Sequence, residues 1–272
     1  MAIKDVLVLL DANSQAAGRY AVSAASTFDA HLTAAALVTA PATSIGFAEA
    51  PAAFLAAVLE EERATARQIL EAFAVEAQRS NRAIQTEIAE ANAGTVQQTL
   101  GGLARCFDLT IVEQPNPDVP GETSIAIEAA LFGSGRPVIV VPYIHIAPLQ
   151  LDKVLVAWDD SGTAARALGA SMPLLAQAKS VQVVMVASGT EDSQTPGLRI
   201  VRHLGRHGIH AEPQRLTGAG DIAGTLLSYA SESGADLMVM GGYGHSRFRE
   251  FVLGGATRGI LQAMTLPVLM SH

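Results

Sequence analysis

A chain of 272 residues has room for two ordinary domains. Hydrophobic residues make up 49% and charged residues only 16%, which supplies apolar cores and argues against disorder. A net charge of -8, a pI near 5.3 and the lack of any Lys/Arg-dense stripe argue against nucleic acid as a partner. Cys106 is the single cysteine, which excludes an intrachain disulfide and a cysteine-based zinc site and suits a reducing compartment. It is expected to be a small buried hydrophobe. Met1-Ala2-Ile3-Lys4-Asp5 carries no apolar signal-peptide run, and the longest uncharged stretch, Ala30 to Ala48, contains His31 and Pro41 and suits no membrane span. The expectation is a cytoplasmic protein without a membrane partner.

In chain order, the first half reads as strands near residues 4–10, 31–38, 83–89, 108–113 and 137–141. A long alanine-rich helix runs from Pro51 to Gln78, and its Glu60-Glu61-Glu62 run reads as a solvated face. The second half reads as strands near 153–158, 181–187, 209–216, 236–241 and 267–270, with a shorter helix from Thr195 to His207. The halves echo each other. Val6-Leu7-Val8-Leu9-Leu10-Asp11 recurs as Val154-Leu155-Val156-Ala157-Trp158-Asp159, and Phe107-Asp108-Leu109-Thr110-Ile111-Val112 as Ala235-Asp236-Leu237-Met238-Val239-Met240. Such long-range self-similarity means two copies of one domain, 1–145 and 149–272. Apolar strands alternating with helices predict an α/β fold, a parallel sheet covered on both faces in each half.

The apolar run Asp236-Leu237-Met238-Val239-Met240 leads into Gly241, Gly244 and Gly254, spaced G-x2-G-x9-G, with a hydroxyl at Thr257 and a helical segment beyond. A strand, a glycine loop and a helix start suit phosphate, because glycine lets the backbone approach and the helix N-terminus offers free N–H groups. The plainer reading is a turn and a tight helix–sheet contact.

This pattern resembles the nucleotide loop of the ATP-binding universal stress proteins, and the resemblance covers nearly the whole chain as a tandem pair, most strongly in the second half. It implies two doubly wound domains, each a five-stranded parallel sheet of order 3-2-1-4-5 flanked by helices. It implies ATP in the second half, with Mg²⁺ or Mn²⁺ on the phosphates. The residues it implicates are Asp159 at the end of the first strand and Val186 at the end of the second. Met240, Gly241, Tyr243 and Gly244 follow on the loop, and Gly254, Gly255, Ala256 and Thr257 open the last helix. Gly255 departs from the family, which carries Ser or Thr at that position, so one hydroxyl is missing and Thr257 stands two residues on. Asp159 is open to helix capping as well, although Asp160 or Ser161 can cap equally well. Val186 is open to plain core packing, and Trp158 reads as packing. His245, Arg247 and Arg249 are candidates for phosphate contact or for solvated loop charges.

The first half lacks the glycine pattern. Glu113-Gln114-Pro115-Asn116-Pro117-Asp118 follows its fourth strand; prolines remove N–H donors, and Glu113 and Asp118 repel phosphate. It is not expected to bind ATP in the family manner. His203 and His207, four apart on a helix, read as surface residues, and Asp221 reads as a helix cap. The function expected is a stress-response regulator that binds adenine nucleotide, whose occupancy biases a conformation or an interaction with a protein partner. No general base is evident, so efficient hydrolysis is not expected. The alternatives are a non-binding adaptor, or a slow ATP hydrolase or transferase with His245 as base. Family members pair through their last strands, which implies an internal pseudo-dimer of 138–141 with 268–270 or a further homodimer.

Overall fold

A computed structural model describes residues 2–40, 52–80, 82–118, 123–187, 195–218, 221–243 and 255–272. Two compact units are present, Ile3–Val138 and a second built from Ile139–His272. The repeat read from sequence sets the join at 145–149, and the compact units part between Val138 and Ile139.

The first unit contains strands β1 (Asp5–Leu10), β2 (His31–Ala40), β3 (Gln85–Asn92) and β4 (Leu109–Glu113), with β5 (Val138–Val141) beginning at its end. Helices α1 (Gln15–Phe28), α2 (Ala52–Arg79), α3 (Val96–Ala104) and α4 (Thr123–Gly133) connect them. Its strands lie in the order β3-β2-β1-β4, all parallel. Val6, Leu7 and Val8 on β1 and Ile111 and Val112 on β4 have no exposure, as strands buried on both faces require. Edge strand β3 is polar instead, with most of its residues exposed or half-exposed.

The second unit contains β6 (Lys153–Ala157), β7 (Ser180–Ala187), β8 (Ala211–Thr217), β9 (Leu237–Gly241) and β10 (Val268–Ser271). Its helices are α5 (Gly162–Leu175), α6 (Thr195–Arg206), α7 (Ile222–Ser233) and α8 (Gly255–Ala263). The order β8-β7-β6-β9-β10 is 3-2-1-4-5, parallel throughout. Each half is the α/β layer expected from sequence, and each observed strand begins and ends within a few residues of its expected span.

One device fixes the start of the central pair in both units. Asp236 accepts the Lys153 N–H at 2.7 Å, and its own N–H donates to Lys153 O at 2.9 Å. In the first unit Asp108 accepts from Lys4 at 2.8 Å and Asp5 at 3.1 Å, and its N–H donates to Asp5 O at 3.0 Å. The aspartate ahead of the fourth strand thereby sets the register in which Val6 pairs with Leu109 and Val154 with Leu237.

Three sequence expectations resolve locally. Glu60, Glu61 and Glu62 are exposed, and Arg63 bridges Glu60 at 2.6 Å and Glu90 at 2.8 Å. Asp221 does cap α7, its Oδ1 accepting the Gly224 N–H at 3.0 Å. Cys106 is corrected: it is exposed, in the turn between α3 and β4 and not packed in either element. Among the described residues no helix is long and apolar enough to cross a membrane.

Candidate functional site

The carboxyl ends of β6 and β9 are adjacent, and they open the crevice where connections leave for opposite sheet faces. Beyond β6, Trp158 continues the pairing by donating its N–H to Val184 O at 2.8 Å. Its side chain is 8% exposed, with the indole Nε1 buried and without a partner among the described residues.

Asp159 comes next and is exposed. Its Oδ1 accepts the Ser161 N–H at 3.0 Å, and Asp160 takes a left-handed conformation, φ 62°. Ser161 is the cap of α5, accepting the Ala164 N–H at 3.1 Å. Capping thus falls to Ser161, one of the two residues sequence reasoning offered for it, and the Asp159 carboxylate stands in an Asx turn at the crevice edge.

Gly241, the last residue of β9, meets the first turn of α5. A Cβ there would lie 2.6 Å from both Ala164 N and Thr163 Oγ1, so no side chain fits. Met240 beside it is 6% exposed and pairs with Met270 on β10. Gly242 donates to Ser271 O at 2.9 Å, and its carbonyl lies 3.1 Å from His272 Nδ1.

Tyr243 then takes φ 57°, and its N–H donates to Thr257 Oγ1 at 3.1 Å, a bond between two residues 9% and 4% exposed. Thr257 therefore ties the outgoing loop to the first turn of α8. Gly255 is exposed, and a Cβ there would meet nothing within 4 Å, while Ala256 is half-buried. Val186 at the end of β7 is half-buried beside Gly218, where a Cβ would come within 3.1 Å of its Cγ1.

The structure thus brings Asp159, Met240, Gly241, Tyr243 and Thr257 to the ends of neighbouring elements, with Val186 one strand over. Gly244, Gly254, His245, Arg247 and Arg249 lie outside the described residues. His203 on α6 and His207 in the turn just after it are exposed, with rings 4.9 Å apart, and among the described residues no cluster of His, Cys, Asp and Glu could hold a metal ion.

The first unit treats the matching positions differently. By register, Glu113 matches Gly241, Asp11 matches Asp159 and Leu10 matches Trp158. Asp11 repeats the Asx turn, with Oδ1 accepting from Asn13 N at 2.8 Å and from the Ser14 hydroxyl at 2.6 Å. Glu113, 6% exposed, reaches the first turn of α1, where Oε2 accepts the Ala17 N–H at 2.9 Å. Burial pushes the Glu113 carboxyl up to about 7, and the nearby Asp11 adds to this, against the N–H bonds from Ala17 and Ala16. The cap Ser14 makes no side-chain bond to its helix, so Glu113 serves α1 in place of a local cap. Sequence reasoning saw Glu113 as repelling phosphate; its seat on α1 depends on a partner 96 residues away and left no local signal.

Comparison with known proteins agrees with this architecture. Residues 202–272 match the model of the universal stress protein family. A curated relative, universal stress protein Slr1230 of Synechocystis, is 30% identical over 128 residues, covering 44% of this chain and 42% of that relative's length. A crystal structure of a universal stress protein from Archaeoglobus fulgidus superposes with a TM-score of 0.75 at 16% identity, covering 98% of this chain and 97% of the other. A functionally unknown protein from Pseudomonas aeruginosa superposes at 0.62, with 16% identity and coverage of 99% and 92%. The fold is a tandem pair of α/β domains. Residues 202–272 carry the universal stress protein signature, and the two-domain fold of the whole chain is that of the superposed structures.

Proposed function

We propose that the C-terminal domain binds ATP at the crevice between β6 and β9 and acts as a nucleotide-dependent regulator in the stress response. One observation supports this best: the loop leaving β9 is bonded through Tyr243 N to Thr257 Oγ1, and α8 starts beside it at exposed Gly255. A helix start of that kind presents backbone N–H groups to an anion, and the missing Cβ at Gly255 leaves the approach open. Asp159 stands at the other side of the crevice, as an acceptor for the adenosine end.

The cation on the phosphates, Mg²⁺ or Mn²⁺, has no protein cage among the described residues. It fits as an ion held by phosphate oxygens and water, the usual arrangement for Mg²⁺ with nucleotides, and it would neutralise phosphate charge there. No described residue of the crevice presents a general base, so binding and release carry the signal and hydrolysis is slow at most. His245→Ala with unchanged nucleotide turnover would remove the remaining candidate base.

A second reading is an adaptor without nucleotide. It is favoured by the packing duties that Gly241 and Thr257 already discharge. Calorimetric titration of nucleotide-stripped protein with MgATP separates the two. One site per chain, lost in Gly244→Val, supports the C-terminal site; no binding supports the adaptor.

A further inference from the structure

A cavity of the first unit lies at the carboxyl ends of its central strands, in the half that lacks the glycine loop. It holds ≈ 250 Å³ among β1, β2, α2, α3, α4 and the end of β4. That is just below the small end of ligand pockets, which run roughly 300–1,000 Å³. Leu9, Leu10, Leu37, Ile69, Leu100 and Val112 supply apolar wall. Asp11, Asn13, Glu62 and Thr65 supply the polar groups. No lysine, arginine or histidine is among the described residues that line it.

Three features set the chemistry of an occupant. The walls are apolar, so the body of the ligand must be apolar to gain from burial. The charged lining groups are both carboxylates, Asp11 and Glu62, which attract a cationic donor and repel an anion. The helix end that would otherwise favour an anion already holds one of the protein's own groups, since Ala17 N–H donates to Glu113. At the position of Leu10, the second unit carries the larger Trp158, so this apolar space belongs to the first repeat's own sequence.

We propose that the first domain is a binding site for a small apolar amine, its ring or chain buried against Leu10, Leu37 and Ile69 and its ammonium donating to Asp11. Asp11 is held for this role: its Oδ1 is fixed by the Asn13 N–H and the Ser14 hydroxyl. The proposal is independent of ATP in the second domain.

The test uses the full chain, isotopically labelled, and three probes that share one ring: tryptamine (cationic), indole (neutral) and indole-3-acetate (anionic). Backbone amide shifts report which unit each probe touches. The expected result is that tryptamine shifts amides of Asp11, Leu37 and Ile69, indole does so more weakly, and indole-3-acetate does not. Asp11→Asn keeps the acceptor for Asn13 N–H and removes the charge. It should weaken tryptamine about tenfold, the scale of one charge-assisted hydrogen bond, and leave indole unchanged. Ala66→Leu, which fills the cavity from α2, should weaken both probes. Should that variant misfold, Asp11→Asn alone still decides the matter. Absence of first-unit shifts with all three probes, indole-3-acetate binding as tightly as tryptamine, or equal tryptamine affinity in Asp11→Asn overturns the proposal. MgATP shifts at Asp11 and Leu37 also overturn the proposal.

Discussion

The Glu113 carboxylate accepts the amide proton of Ala17 at 2.9 Å, joining the end of β4 to the first turn of α1. Where the second unit has Gly241 pressed bare against α5, the first has an acidic side chain in contact with its helix. The difference predicts a pH effect. The folded carboxyl is pushed up to about 7 from an ordinary 4.5, so between those values the folded state keeps a proton that the unfolded chain has released. Stability therefore falls as pH rises from about 4.5 to about 7 and is level above that. At about 1.4 kcal/mol per unit, the change is on the order of 3 kcal/mol. Glu113→Gln keeps an acceptor for Ala17 and abolishes the titration. Urea unfolding from pH 5 to 8 should show the slope in the parent and a flatter line in the variant; parallel lines would exclude this account.

Thr257 holds the start of the candidate nucleotide loop through Tyr243. Thr257→Val preserves shape and leaves a buried N–H without its acceptor, at a cost of about 1–3 kcal/mol. Thr257→Ser should recover most of that. Thermal unfolding measures the cost, and faster amide exchange at Tyr243 in the valine variant locates it.

Gly241 and Gly255 make a contrasting pair. Gly241→Ala drives a Cβ to 2.6 Å from Ala164 N, a backbone atom, and should destabilise the second unit by about 1–3 kcal/mol. Gly255→Ala meets nothing within 4 Å and lies in a helix, where alanine is better by up to about 1 kcal/mol. If α8 receives phosphate, Gly255→Ala should weaken MgATP binding without loss of stability. Calorimetry on the two variants separates packing from binding.

The aspartate latches should act independently of each other. Asp236→Ala removes the acceptor for Lys153 N–H, and Asp108→Ala removes the one shared by Lys4 and Asp5; each should cost about 1 kcal/mol. Hydrogen exchange should rise in β6 and β9 for the first variant and in β1 and β4 for the second. Exchange rising in both units from either change would refute that independence.

Much of the fold was legible because strand periodicity and the repeat are local facts about side chains. Val6–Leu10 and Val154–Ala157 declare buried parallel strands by composition alone, and Asp221 declares a cap by its position before a helix. Cys106 misled for the same reason: its neighbours suggest a strand approach, but exposure is set by which way the α3–β4 turn faces. For the candidate site, the sequence placed Gly241, Tyr243 and Thr257 in one stretch, and the structure sets them at the ends of β9 and α8. Thr257 as the partner of Tyr243 was not legible, since that bond joins the two ends of the loop across 14 residues.

The sequence by itself determined the two-domain α/β plan, the strand boundaries and the contrast between a glycine-bearing and a proline-bearing loop, because hydrophobic period, glycine and proline act on the backbone where they stand. Only the tertiary structure decided that Ser161 caps α5, that Glu113 serves α1, and that the apolar cavity opens in the first unit. Each depends on which distant groups meet when the strands align, and burial and hydrogen bonding across that distance are properties of the folded arrangement.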